Sequence, residues 1–151
     1  MDRFPEKLRE ARKNAELNQT QLGAMIGVSQ RSMTNYERGI AIPRRSTVRK
    51  LAKALGVTTE YLVNDEVTDP HANEAQEARI ESARDRFGTR GAKEMQDLLD
   101  RNVALFAGGE ISEEQKDAFM EALSAAYFAC KAKAHEKFTP KALHGKPETE
   151  A

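Results

Sequence analysis

Residues 19–38 read QTQLGAMIGVSQRSMTNYER, and the spacing within this stretch decides the fold. Leu22, Ile26, Val28, Met33 and Tyr36 are apolar at intervals that meet inside the corner between two short helices. Gly23 is small where the helices must approach, and Gly27 supplies the open backbone of a tight turn. Gln30, Arg31, Thr34 and Asn35 are then left facing outward. A polar, basic helix face of this kind carries the donors and acceptors that complement base edges in a DNA major groove.

The reading extends in both directions. Pro5 suits a first helical turn, and Leu8 and Ala11, supported by Phe4, give a core stripe, so a helix is expected over about residues 5–15. Asn18 is the expected N-cap of a helix ending at Ile26, and Ser29 that of a helix running to Arg38, where Gly39 stops it. A loop from Gly39 to Pro43 leads to a fourth helix over residues 45–55, with Val48, Leu51, Ala52 and Leu55 on one face and Gly56 at its end. Thr58 caps a short fifth helix carrying Tyr61 and Leu62. Residues 1–64 therefore read as one all-α domain of five short helices.

Composition narrows the classes. At 151 residues, 39% apolar and 32% charged, the chain reads as a soluble, helix-rich protein of one or two small domains. No apolar run approaches the ~18 residues of a membrane span, and MDRFPEKLRE at the start lacks the apolar stretch of a signal peptide. A single cysteine, Cys130, excludes an internal disulfide framework, fits a reducing cytoplasm and reads as a small apolar filler on a helix. The net charge of zero hides a division: residues 1–64 hold 12 Lys or Arg against 6 Asp or Glu, whereas residues 65–151 hold 12 against 18. The basic head attracts phosphate and the acidic tail is repelled by it.

From Leu8 to Asn64 the chain resembles the Cro/C1-type (XRE-type) helix-turn-helix family, to which the lambda phage repressors belong. The resemblance rests on Leu17-Asn18-Gln19, Leu22-Gly23, Gly27-Val28-Ser29, Tyr36-Glu37-Arg38-Gly39 and Pro43. It continues through Leu51-Ala52-Lys53-Ala54-Leu55-Gly56-Val57 to Tyr61-Leu62. It implies a lambda-repressor-like DNA-binding domain in which Gln19, at a helix N-terminus, touches the DNA backbone or an adjacent side chain. It also implies that Arg44 and Arg45 lie along phosphates and sometimes enter the minor groove. Chemistry assigns the remaining roles. Gln30 can pair twice with adenine and Arg31 twice with guanine, each such pair discriminating by ~1–3 kcal/mol, or Arg31 can meet a phosphate instead. Asn35 reaches a third base or a phosphate, while Ser32 and Thr34 suit phosphate oxygens or a thymine methyl. With Ser29 and Arg38, these complete the DNA-facing set Gln19, Ser29, Gln30, Arg31, Ser32, Thr34, Asn35, Arg38, Arg44 and Arg45. Lys13, Arg49 and Lys50 extend the footprint, Arg9 and Lys53 cover helix faces, and Glu37 forms an internal ion pair or cap.

Residues 65–73, polar and interrupted by Pro70, read as a linker. A helical segment is expected over residues 74–138. Its first helix starts near His71 and carries Ala75, Ala78, Ile80, Ala83 and Phe87, before an interruption from Gly88 to Gly91. The next has Met95, Leu98, Leu99, Val103 and Phe106 at helical spacing. A third opens on the capping pair Ser112 and Gln115, with Phe119, Leu123, Ala126, Tyr127 and Cys130 as its stripe and Met120 and Phe128 free for an outside contact. The weak likeness of this tail to mobile-element regulators of the same family assigns no ligand. Residues 139–151 read as a disordered tail. A thin helical hairpin of this kind is expected to make a homodimer, so that two heads read half-sites one helical turn apart.

Nothing in the sequence supports an enzyme. His71, His135 and His144 share no ligand spacing with carboxylates or Cys130, so no metal site or cofactor is expected, and no nucleophile–base pair stands out. The expected function is a cytoplasmic, sequence-specific regulator of transcription that binds a double-stranded operator, a dimeric repressor of phage or mobile-element type. The alternative is an antitoxin-like regulator whose C-terminal helices bind another protein.

Overall fold

In a computed structural model, residues 1–138 are described and every element among them is helical. The expectation for residues 139–151 lies outside the described residues. The chain divides into two compact units after Ala78.

The first unit contains α1 (Phe4–Asn14), α2 (Gln19–Ile26), α3 (Gln30–Glu37), α4 (Arg45–Leu55) and α5 (Thr59–Val63). Their ends follow local chemistry. The Asn18 side chain accepts from the Gln21 N–H and the Gln21 side chain answers the Asn18 N–H, closing a reciprocal cap. Ser29 and Thr58 cap α3 and α5 through their hydroxyls. At Gly27, φ is 77°, the left-handed conformation that favours glycine. Gly23 is small for a different reason: a Cβ there would stand 2.6 Å from the Val28 carbonyl oxygen.

Leu8, Leu22, Met33, Leu51 and Leu62 are fully enclosed and draw in one side chain from each of the five helices. Helix α2 packs on α3 and α4, and α1 packs on α3 and α5. Lys7 is buried beside this core, 3% exposed, with its ammonium donating to the carbonyls of Tyr61 (2.9 Å), Asn64 (2.7 Å) and Val67 (2.5 Å). Burial and the nearby Arg3 charge lower its pKa, although Asp65 pulls the other way.

Residues 65–73, read from sequence as a linker, are strapped to the first unit. Val67 packs against its core, the Thr58 N–H donates to the Pro70 carbonyl (2.8 Å), and Asp65 accepts from the N-terminal ammonium and the amides of Asp2 and Arg3. The helix expected from His71 starts later, as α6 (Glu74–Val103), because residues 71–73 turn and Asn73 takes φ 59°. Its Glu77 carboxylate accepts from the Thr59 N–H at the start of α5 (2.8 Å to each oxygen).

In the second unit, α6 breaks sharply at Gly88 alone (φ 70°, ψ −162°), a conformation reserved for glycine, rather than across Gly88–Gly91. Gly91 lies inside that corner, where a Cβ would meet the Ala83 carbonyl oxygen at 2.7 Å. A 3₁₀ turn (Ala104–Phe106) leads to α7 (Glu113–Phe138), opened by the expected Ser112–Gln115 cap.

The core here is Ala83, Met95, Leu99 and Met120, with Ile80, Leu98, Phe106, Leu123, Tyr127 and Phe128 against it. This corrects the stripe read for α7. Met120 is buried rather than free for an outside contact, Phe128 stacks on Phe87 (6.3 Å), and Phe119, Ala126 and Cys130 are exposed. The rotation follows from the aromatic pair: Tyr127 and Phe128 both meet Phe87, which turns Met120 and Ser124 inward. Ser124 pairs its hydroxyl with the Met120 carbonyl (2.7 Å). Val103, read as a packing residue, is 50% exposed because regular helix ends there.

Gly23→Ala is expected to cost roughly 1–3 kcal/mol, because its new methyl meets backbone that cannot swing aside. Gly108→Ala, with nothing within 4 Å of a Cβ, is expected to be near neutral. Thermal unfolding of the two variants beside the parent measures the difference.

Candidate nucleic-acid interface

The candidate interface is organised by a carboxylate that is not itself exposed. Glu37, at the end of α3 and 2% exposed, accepts two bonds from Arg12 of α1, from Nε (2.5 Å) and from an Nη (3.0 Å). The Gln19 amide of α2 donates to the same carboxylate (2.9 Å). Arg12 also donates to the Leu17 carbonyl (2.8 Å), and Arg9 to the Glu37 carbonyl (2.7 Å). On the other side of Gln19, its carbonyl accepts from the Thr34 hydroxyl (2.9 Å). Three helices are thereby pinned to one another at the base of α3.

Burial alone would raise the Glu37 pKa. The hydrogen bonds from Arg12 and Gln19, with the charges of Arg12 and Arg9, outweigh it, and the carboxyl titrates below its ordinary value of 4.5. The Arg12 guanidinium is held charged by the same hydrogen bond, against the cost of its own burial. The pair is a fixed bidentate strut.

Away from this anchored C-terminal end, the first turn of α3 is open. Gln30 and Arg31 are exposed in its first turn, and Asn35 is half-buried one turn further on. The side chains of Gln30, Arg31, Arg38, Arg44 and Arg45 engage no hydrogen-bond or ion-pair partner among the described residues. Arg44 is the N-cap residue of α4 and Arg45 opens that helix, both exposed behind a buried Pro43.

The remaining sequence candidates are partly occupied. Gln19 bonds to Glu37 and Thr34, so the amide read as a phosphate donor is used inside the protein; this is the adjacent-side-chain role that the resemblance also allowed. Thr34 is shared between Gln19 and the Gln30 carbonyl (3.0 Å). Ser29 and Ser32 face each other through their hydroxyls (3.0 Å) while Ser29 caps the helix. Sequence reasoning gives Glu37 an internal partner but does not identify Arg12, which lies one turn beyond Leu8 on the edge of the apolar face of α1. Lys13 and Lys50 are exposed and Arg49 half-buried, while Arg9, read as covering a helix face, reaches Glu37 instead.

A helix-turn-helix family model matches residues 8–62. The chain is 39% identical over 66 residues to the transcriptional repressor RstR of the cryptic phage CTXphi of Vibrio cholerae, covering 44% of this chain and 60% of that protein. It is 29% identical over 119 residues to the HTH-type transcriptional regulator ImmR of Bacillus subtilis, covering 78% of this chain and 85% of that one. An uncharacterized HTH-type transcriptional regulator from the SPbeta prophage of Bacillus subtilis, YonR, is 27% identical over 114 residues, or 74% and 84% of the two chains. The chain thus spans less than two thirds of RstR and most of the other two. No solved structure matches.

Glu37→Gln leaves the guanidinium of Arg12 buried without its counter-charge and is expected to destabilise the first unit by about 3 kcal/mol at neutral pH. A carboxyl with a depressed folded-state pKa contributes stability above its unfolded value that is lost as pH falls through the folded one. The parent should therefore lose melting temperature as pH drops below 4.5, reinforced by Asp65, which its bond to the N-terminal ammonium lowers from 3.8 to about 2. Melting curves between neutral and acid pH should show a shallower acid loss for Glu37→Gln than for the parent.

Proposed function

We propose that this protein is a sequence-specific double-stranded DNA-binding regulator of transcription, acting in the cytoplasm as a dimeric repressor of phage or mobile-element type. The observation that carries the reading is the contrast along α3. Its C-terminal end is locked to α1 and α2 through Glu37, and its first turn offers Gln30 and Arg31 with their hydrogen-bonding groups unspent. A preorganised pair of amide and guanidinium groups suits adenine and guanine edges, and immobilising them beforehand reduces the entropy lost on binding. Arg38, Arg44 and Arg45 supply charge for flanking phosphates, Asn35 a further polar group, and Ser29, Ser32, Thr34 and Gln19 the support of the helix and its approach. The names of RstR and ImmR, a repressor and a regulator of transcription, support the same reading.

The second unit supports self-association. Leu105 is 70% exposed, Val103 50% and Phe119 41%, apolar groups that a second copy could cover. The same exposure suits the alternative, in which the C-terminal helices take another protein. A membrane role has no support in the described residues, where no helix is long and apolar enough to cross a bilayer.

Selection of bound sequences from a random duplex pool is expected to return a twofold-symmetric site. On that site, Arg31→Ala should relax the choice of base by ~1–3 kcal/mol at one position of each half-site. Arg44→Ala should weaken binding on all sequences and reduce the salt slope by about one for each phosphate left unneutralised. Gel-shift titration in which neither variant changed affinity or preference would refute the assignment.

A further inference from the structure

The segment joining α3 to α4 holds two isoleucines in water, Ile40 at 62% exposed and Ile42 at 77%. Looseness does not account for this. The N–H groups of Ile40 and Ala41 both donate to the Asn35 carbonyl of α3 (2.9 and 3.3 Å), and that of Gly39 donates to the Tyr36 carbonyl (3.2 Å). On the far side, Pro43 is buried. The backbone is thus tied to the last turn of α3 at one end and to the protein interior at the other, with both side chains outward. They are framed by Arg38, Arg44 and Arg45, all exposed.

Apolar groups ringed by unneutralised guanidinium groups are poorly suited to a second copy of the chain, because joining two such loops sets the arginines of both against each other. They suit a surface that is anionic and apolar at short range, and a nucleic acid backbone has this character: phosphates alternating with the carbon faces of deoxyribose. Recognition helices of this motif present their N-terminal residues to base edges. A loop following the C-terminal end of α3 therefore falls at the rim of the groove.

We propose that Ile40 and Ile42 pack on deoxyribose faces of the DNA backbone, between phosphates held by Arg38, Arg44 and Arg45. This rests on the DNA-binding function proposed above. Such packing adds affinity without sequence preference, and it releases no counterions, so salt does not remove it.

The test is the full-length Ile40→Ala/Ile42→Ala variant, titrated by fluorescence anisotropy with the selected duplex and a scrambled one from about 50 to 200 mM salt. Binding about tenfold weaker on both duplexes is expected, a difference matching the apolar surface removed, with an unchanged salt slope. The melting temperature and the self-association of the protein without DNA should not change. Equal affinity for parent and variant overturns the proposal. So does a weakening confined to the selected sequence, a reduced slope, or a weakening traceable to poorer self-association. A parent protein that binds neither duplex overturns the functional reading and this inference with it.

Discussion

The first unit depends on the charge of Glu37 being satisfied inside it. A carboxylate this deeply enclosed is costly to desolvate, and only the fork of Arg12, the amide of Gln19 and the charge of Arg9 make it tolerable. An apolar pair of the same volume could have been at least as stable. It would not have fixed the rotation of α3 about its own axis, whereas directional bonds from two other helices do so. Because residues 30 and 31 sit on the same rigid helix, whatever sets the azimuth of Glu37 also sets the direction in which Gln30 and Arg31 point. A buried ion pair here acts as a positioning device more than as a source of stability.

Much of the first unit is legible in the sequence because its signals are local. Glycines at turns, Asn18, Ser29 and Thr58 as caps, and apolar residues at helical spacing each act within one or two turns of chain. The pairing of Arg12 with Glu37 joins residues 25 apart, and nothing in the spacing distinguishes Arg12 from Arg9 or Lys13 as the partner. Lys7 does leave a trace. With Phe4, Leu8 and Ala11 it completes a regular helical stripe, which places an ammonium on the apolar face and requires acceptors there. The strap from residue 65 to 73 supplies one of them through Val67. Its polar composition and proline suggest a linker because those features describe local stiffness and solvation, not what the backbone is bonded to.

The second unit is less legible for an intelligible reason. Helix α7 is rich in alanine and has apolar residues around most of its circumference, so spacing alone does not say which side faces the core. Long-range aromatic contacts to Phe87 choose it, and with it the burial of Met120 and the exposure of Phe119. The corner at Gly88 that brings Phe87 to α7 is visible in the sequence only as a glycine pair.

The most direct measurement is nuclear magnetic resonance of the full chain during titration with its selected duplex. The account predicts that the side-chain amides of Gln30 and Asn35 and the Nε–H of Arg31 shift first and furthest. The Arg12 Nε–H should hold its position, still bound to Glu37. A duplex that bound tightly while the Gln30 and Arg31 signals stayed in place, or that released Arg12 from Glu37, would contradict the claim that this helix is preset to meet DNA.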